Sequence, residues 1–257
     1  LKKAKYPKSS FPLIKIDDLI SNKLCDNLKI AIEKQKNFDD SVMNGRNRIN
    51  KGSFTFKKFL SNSKSANKLY YSLNSQTTFM KILKIFDKNF RNKFWEYKQK
   101  NLKFSKINYG NQKGRALTKQ NKKNKGKNIV NLDMDFSLSK NGYFREPHRD
   151  RSTRIINFLI YLNSIPKKNG GTLEIFKTKK KLVKNSVLYP RFPKKNSLKK
   201  INNFQPKKKQ GLFFLSSPDS YHGVSKFISK NKVKRVFIYG SFSLNKTVKW
   251  FYNPLHG

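Results

Sequence analysis

Three histidines occur in this chain of 257 residues, and two stand where a metal could be held. His148 lies in Pro147-His148-Arg149-Asp150. An extended backbone projects residues i and i+2 to one side, so His148 and Asp150 can converge on a point. His222 lies in Tyr221-His222-Gly223-Val224, after a strand and a turn. Two neutral imidazoles and one carboxylate form a donor set that binds ferrous iron on one octahedral face. Three positions then stay open, enough for a bidentate co-substrate and dioxygen. Taken alone, His148-x-Asp150 reads more readily as a loop histidine paired to a neighbouring carboxylate than as a metal site. His256, beyond Trp250-Phe251-Tyr252-Asn253-Pro254, has no partner pattern and is read as structural or disordered.

Such ligands need a rigid frame, and the sequence around them reads as strands. From Val130 to Leu138 the even positions are Val130, Leu132, Met134, Phe136 and Leu138, while Asn131, Asp133, Asp135 and Ser137 alternate between them. This period of two is the strongest local signal in the chain. Arg154–Leu162, Thr172–Phe176, Gly211–Leu215 and Val233–Phe242 are further strand candidates, separated by turn-prone pieces. Upstream, Phe11–Ile16 reads as a strand, and Ser21 caps a helix with Leu24, Leu28, Ala31 and Ile32 on one stripe. Residues 37–64 are polar and carry no assignment. Residues 66–100 are expected to form one long amphipathic helix through Phe79, Ile82, Leu83, Phe86, Phe90 and Phe94. Many short strands with turns between them point to a sandwich or barrel.

The order of these pieces is informative. His148-x-Asp150 is followed by Arg154 through Tyr161-Leu162-Asn163, by Gly170-Gly171-Thr172-Leu173-Glu174-Ile175-Phe176, and by Gln205-Pro206 with Gly211 and Phe214. His222-Gly223-Val224 comes next, then Arg235 and Tyr239. Over about residues 128–245 this series resembles the Fe(II)/2-oxoglutarate-dependent dioxygenases, in particular their prolyl 4-hydroxylase-like branch. The resemblance implies a mainly β fold, a double-stranded β-helix (jelly roll) buttressed by N-terminal helices. Residues 1–105 would pack on a catalytic core of 106–257, together making one compact domain. The resemblance also implies that His148, Asp150 and His222 ligate iron, and that Arg235 pairs with the C5 carboxylate of 2-oxoglutarate. A planar cation that cannot lose its proton suits that task. Tyr161 would hydrogen-bond the same carboxylate, and Tyr239, four residues past Arg235 on the same strand face, would be a third contact. Leu138 occupies the place where the family often carries a tyrosine, and Tyr143, in what reads as a turn, is set aside as its substitute. Arg149 and Arg154 flank the triad and could meet an anionic substrate.

The expected activity is hydroxylation of an unidentified substrate, with 2-oxoglutarate and O2 consumed, succinate and CO2 released, and ascorbate as a candidate reductant. Two rivals remain: a non-catalytic basic jelly roll binding nucleic acid or another polyanion, and a metal-dependent cupin or hydrolase that needs no Arg235. Candidate substrates are an anionic molecule or a protein side chain.

The charge alone does not decide between these. Lys and Arg number 59 against 14 Asp and Glu, giving a formal charge of +45. The excess is 49 Lys to only 10 Arg, beside 29 Asn and four Ala, the bias that A/T-rich codons produce. Codon drift is therefore read as its main cause, because nucleic-acid readers lean on Arg. The basic stretches 111–128 and 177–209 read as solvated loops that would border the active-site mouth. With 36% hydrophobic and 14% aromatic residues the chain can build a core, which excludes a wholly disordered protein. The single cysteine, Cys25, excludes an intrachain disulfide framework and a cysteine zinc site. No apolar run is long enough to span a bilayer and no secretory signal is visible, so a cytoplasmic location is expected.

Overall fold

The period-2 segment becomes the longest strand of a computed structural model that describes residues 4–42, 45–90, 108–109, 129–179, 191–229 and 233–244. In chain order the elements are β1 (Ala4–Lys5), β2 (Leu13–Ile16), α1 (Asn22–Glu33), β3 (Asp40–Val42), β4 (Arg46–Asn50), α2 (Phe54–Asn62), α3 (Lys64–Leu73) and α4 (Gln76–Phe90). There follow β5 (Asn108–Tyr109), β6 (Ile129–Ser139), β7 (Arg145–His148), β8 (Arg154–Tyr161), β9 (Leu173–Thr178), β10 (Leu198–Phe204), β11 (Gly211–Leu215), β12 (His222–Val224) and β13 (Arg235–Leu244). Nine strands form one sheet, in the order β1-β2-β11-β8-β13-β6-β4-β3 with β5 added beside β6. The other four form a second sheet, β10-β9-β12-β7. The two face each other as a jelly roll.

Alternation along the strands sorts side chains into two cores. On β13, Val236, Ile238, Phe242 and Leu244 point away from the small sheet, joined by Leu132, Met134 and Phe136 of β6. The helices cover that face. In α1 the Ser21 hydroxyl accepts the Leu24 N–H, and Cys25, Leu28 and Ile32 are fully buried. Each such apolar side chain contributes roughly 1.5–3 kcal/mol on burial. The second core, between the sheets, holds Leu159, Tyr161, Leu173, Ile175, Phe214 and Phe237. The polar alternate positions of β6, Asn131 to Ser139, are buried on this inner side too. None of the helices in the described residues is long and apolar enough to cross a membrane.

Three sequence expectations change. The stretch 66–100 contains two helices: α3 stops at Leu73, where the Asn74 N–H bonds the Tyr70 carbonyl, and the Ser75 hydroxyl accepts the Thr78 N–H to start α4. Side chains with stop-and-start capping chemistry override the continuous apolar stripe. Phe79, Ile82, Leu83 and Phe86 are buried as expected, while Phe94 lies outside the described residues. The unassigned stretch 37–64 supplies β3, β4 and α2, whose Phe59 packs on Phe136 at 4.9 Å between ring centres. The loop reading of 177–209 fails for β10, which pairs with β9 and keeps Lys199 and Lys200 exposed. Lysines on an edge strand keep other chains from adding to it. The stretch 111–128, the strand-like pieces at 182–183 and 187–189, and His256 lie outside the described residues.

Candidate metal centre and co-substrate pocket

Strand pairing brings the two histidines together. β12 lies antiparallel to β7 with His222 opposite His148 in the register, and their rings are 4.6 Å apart. Gly223 allows this approach: a Cβ there would stand 2.8 Å from the Arg145 carbonyl oxygen across the pair. Asp150 follows β7 by two residues, and one donor atom from each of His148, Asp150 and His222 lies within 4.8 Å of the others. Asp150 Oδ2 is 3.5 Å from His222 Nε2. All three side chains are buried.

The hydrogen bonds around the rings fix what each nitrogen offers. His148 Nδ1 is 2.8 Å from the Glu146 carbonyl and His222 Nδ1 is 2.9 Å from the Ser220 carbonyl. Each Nδ1 therefore carries the proton and donates it, and each Nε2 keeps its lone pair on the side of the centre, where that of His148 also meets the Arg145 Nε–H at 3.4 Å. Burial pushes both imidazole pKa values down, that of His148 well below its ordinary value with His222 adding to the effect. Both rings are neutral bases at physiological pH. Burial would raise the Asp150 pKa, but Arg154, whose Nη1 donates to Oδ1 at 2.6 Å, holds it well below the usual carboxylate range. Two neutral nitrogens beside an ionised oxygen suit a divalent cation.

The same cavity, about 440 Å³, includes Arg235 in its wall. This guanidinium is 0% exposed, and its Nε donates to the Gly171 carbonyl at 3.0 Å. Its two terminal nitrogens have no hydrogen-bond partner among the described residues, and neither does the hydroxyl of Tyr161 beside it. The rings of Phe237, Tyr161 and Tyr143 surround the cation at 4.2, 5.2 and 5.7 Å from centroid to carbon. A buried cation with two unused donors is costly unless an anion completes it. The donor fork is shaped for a carboxylate, so the residues present fit both a ferrous ion and 2-oxoglutarate.

Other residues singled out in the sequence take up definite places around the cavity. Tyr239 shares the inner face of β13 with Arg235 and lines the cavity, but its hydroxyl lies 3.3 Å from Asp150 Oδ1 and bonds the Arg154 guanidinium. It is engaged at the aspartate, not beside Arg235. Tyr143 does follow a turn, and from that turn its ring enters the cavity wall. Leu138 instead packs on the helix side of the large sheet. Arg149 is fully buried, and Arg154 forms its ion pair with Asp150. Sequence reasoning missed Arg46 and Arg48 on β4, Arg145 on β7, Arg151 and Arg191, all in the cavity wall. Their one available signal was type: Arg is rare in this Lys-rich chain.

Known proteins bear on this geometry. Among curated protein sequences none matches. A prolyl-4-hydroxylase of Pseudomonas putida is similar in structure, with 13% identity, 92% of this chain and 94% of that chain covered, and a TM-score of 0.47. So is HygX from Streptomyces hygroscopicus, solved with nickel and 2-oxoglutarate bound, at 9% identity, 95% and 86% coverage and a TM-score of 0.45. The profile of the 2OG-Fe(II) oxygenase superfamily matches residues 134–242, a span that contains His148, Asp150, His222 and Arg235. Residues 134–242, the segment that builds this cavity, match the 2OG-Fe(II) oxygenase superfamily, and that match supports an oxygenase that uses ferrous iron and 2-oxoglutarate.

Proposed function

We propose that His148, Asp150 and His222 hold the ferrous ion, that Arg235 and Tyr161 hold the distal carboxylate of 2-oxoglutarate, and that the enzyme hydroxylates a C–H bond of an anionic substrate. When bound, iron and 2-oxoglutarate supply the oxidising chemistry: with O2, 2-oxoglutarate is decarboxylated to succinate and CO2 and one oxygen atom enters the substrate. The chain's own part is placement. The Glu146 and Ser220 carbonyls orient the imidazoles, Arg154 keeps Asp150 ionised, and the Arg235 fork aligns the co-substrate. Leu159, Leu173, Phe214, Val224 and Phe237 give the cavity apolar walls that limit water. Residues 1–105 serve as the buttress of the same domain, since β2 and β4 are hydrogen-bonded into the large sheet.

The observation that carries this reading is Arg235, a fully buried cation with both terminal nitrogens unpartnered among the described residues, in the cavity that also holds the three donors. A cupin or hydrolase using the same donors has no need of it. The test is succinate formation from 2-oxoglutarate with Fe(II) and O2. The wild type turns over, while His148→Ala and Arg235→Ala fall to background. Full turnover by Arg235→Ala would return the site to the hydrolase reading.

A further inference from the structure

We propose that Arg149 and Tyr221 form a clasp behind the metal centre, and that as positioning residues they set the spacing of His148, Asp150 and His222. The inference rests on the reading of those three as metal ligands and adds what holds them in place. The backbone ladder alone supports that spacing weakly. β12 has only three residues, its pairing with β7 is irregular between His222 and Val224, and the ladder ends at the His148–His222 pair. Asp150 lies beyond that end.

One further step in the same antiparallel register sets Arg149 opposite Tyr221. Side chains directly opposite each other on one face are close enough to meet. Each of the two neighbours a ligand in sequence, so alternation turns both to the reverse side from the ligands. Neither is among the described residues that line the cavity. Both are nonetheless buried, Arg149 at 0% and Tyr221 at 1% exposure. The Arg149 guanidinium donates a hydrogen bond to the Tyr221 hydroxyl. The residue between two ligands is thereby bonded, side chain to side chain, to the residue next to the third.

Both partners are themselves held. The Arg149 N–H donates to the Arg191 carbonyl at 3.0 Å, and Arg191 Nε donates to the Arg149 carbonyl at 3.3 Å. The Tyr221 carbonyl accepts the Phe176 N–H of β9 at 3.0 Å, and the Tyr221 N–H donates to the Asp219 carbonyl at 2.7 Å. Asp219, whose Oδ1 accepts from the Ser217 hydroxyl at 2.6 Å, sets a negative charge against Arg149. A hydrogen bond to a charged group away from water is strong and exacting in geometry. Groups that orient metal ligands from behind typically change metal affinity by about ten- to a hundredfold when removed.

The test is calorimetric titration of Mn(II) into the metal-free protein, set beside thermal melts of the same samples. Arg149→Met/Tyr221→Phe removes both polar partners and roughly keeps their volume, so it should melt within about 4 °C of wild type. It should still bind Mn(II) at least about fivefold more weakly, because the ligand segments are no longer joined. A role confined to stability predicts the opposite, wild-type Mn(II) affinity in a variant that melts normally. Tyr221→Phe alone, which removes a single oxygen atom, carries the same expectation should the double variant not fold. As a matched control, Tyr70→Phe breaks the buried 3.0 Å bond from Asn74 under the helices and should stay within about twofold for Mn(II). Less than a fivefold loss in the folded clasp variant overturns the inference, and so does an equal loss in Tyr70→Phe. A wild type that binds no Mn(II) overturns the ligand assignment itself, whereas wild-type binding that the clasp variants retain overturns this inference alone.

Discussion

Arg235→Met is expected to act in opposite directions on ligand binding and on stability. Methionine roughly matches the apolar length of arginine and removes the charge. With 2-oxoglutarate bound, the two terminal nitrogens that have no partner among the described residues would each make a charge-assisted hydrogen bond. At about 1.5–3 kcal/mol apiece, their loss amounts to about 3–6 kcal/mol, or roughly a hundred- to a few-ten-thousandfold in affinity. Without 2-oxoglutarate the same guanidinium keeps one hydrogen bond, to Gly171, and its ring contacts, yet remains a desolvated charge without an acid partner among the described salt bridges. Replacing such a charge with an apolar side chain is often neutral or stabilising by about 1–4 kcal/mol. Thermal unfolding with and without 2-oxoglutarate, in Mn(II) under nitrogen, reads both effects. The variant should melt at or above the wild-type temperature when ligand-free and show almost no shift with 2-oxoglutarate. A ligand-free melting point lowered by more than about 4 °C, or an affinity within tenfold of wild type, would refute the reasoning.

Further expectations follow from the same geometry. Gly171 has φ +67°, and a Cβ there would stand 3.1 Å from Arg235 Cδ, so Gly171→Ala should destabilise the fold by about 1–3 kcal/mol and weaken 2-oxoglutarate binding, as read by denaturant titration and calorimetry. Tyr239→Phe should leave 2-oxoglutarate affinity at saturating Mn(II) within about twofold but weaken metal binding by up to roughly tenfold, since its hydroxyl contacts Asp150. In the metal-free protein, His148 and His222 are buried neutral with lowered pKa values, so the unfolded chain takes up protons first. Their contribution is complete above about pH 6.5 and is lost as pH falls toward the folded values, at up to about 1.4 kcal/mol per pH unit for each histidine. Urea unfolding from pH 7 to pH 5 should show that slope in wild type and a shallower one in His148→Gln; equal slopes would contradict the assignment.

The parts of the fold legible in the sequence were those where one side of an element is apolar and the other is not. The even positions of β6 and β13 announced a strand face, and Ser21 announced the start of α1. β4, Arg46-Asn47-Arg48-Ile49-Asn50, was illegible because its side chains serve the cavity and its ion pairs, leaving Ile49 as the one fully buried apolar residue. At the site, His148, Asp150, His222 and Arg235 stood out because their types are rare here and their order is informative. The environment of the Tyr239 hydroxyl was not readable, since it depends on how closely Asp150 and Arg154 approach from outside β13. Tyr143 was hidden by its turn, which bends the chain so that the ring enters the cavity. The arginine wall required knowing which of many cations share one opening.

The central claim is that two imidazoles and one aspartate bind a single ferrous ion that 2-oxoglutarate then chelates. Anaerobic titration of the metal-free protein with Fe(II) and 2-oxoglutarate tests it most directly, through the weak visible charge-transfer absorption of the chelate. The account predicts a band that saturates at one iron per chain and is absent from folded His148→Ala and Asp150→Ala. A well-folded wild type that never develops the band, or a His148→Ala variant that develops it in full, would contradict the account.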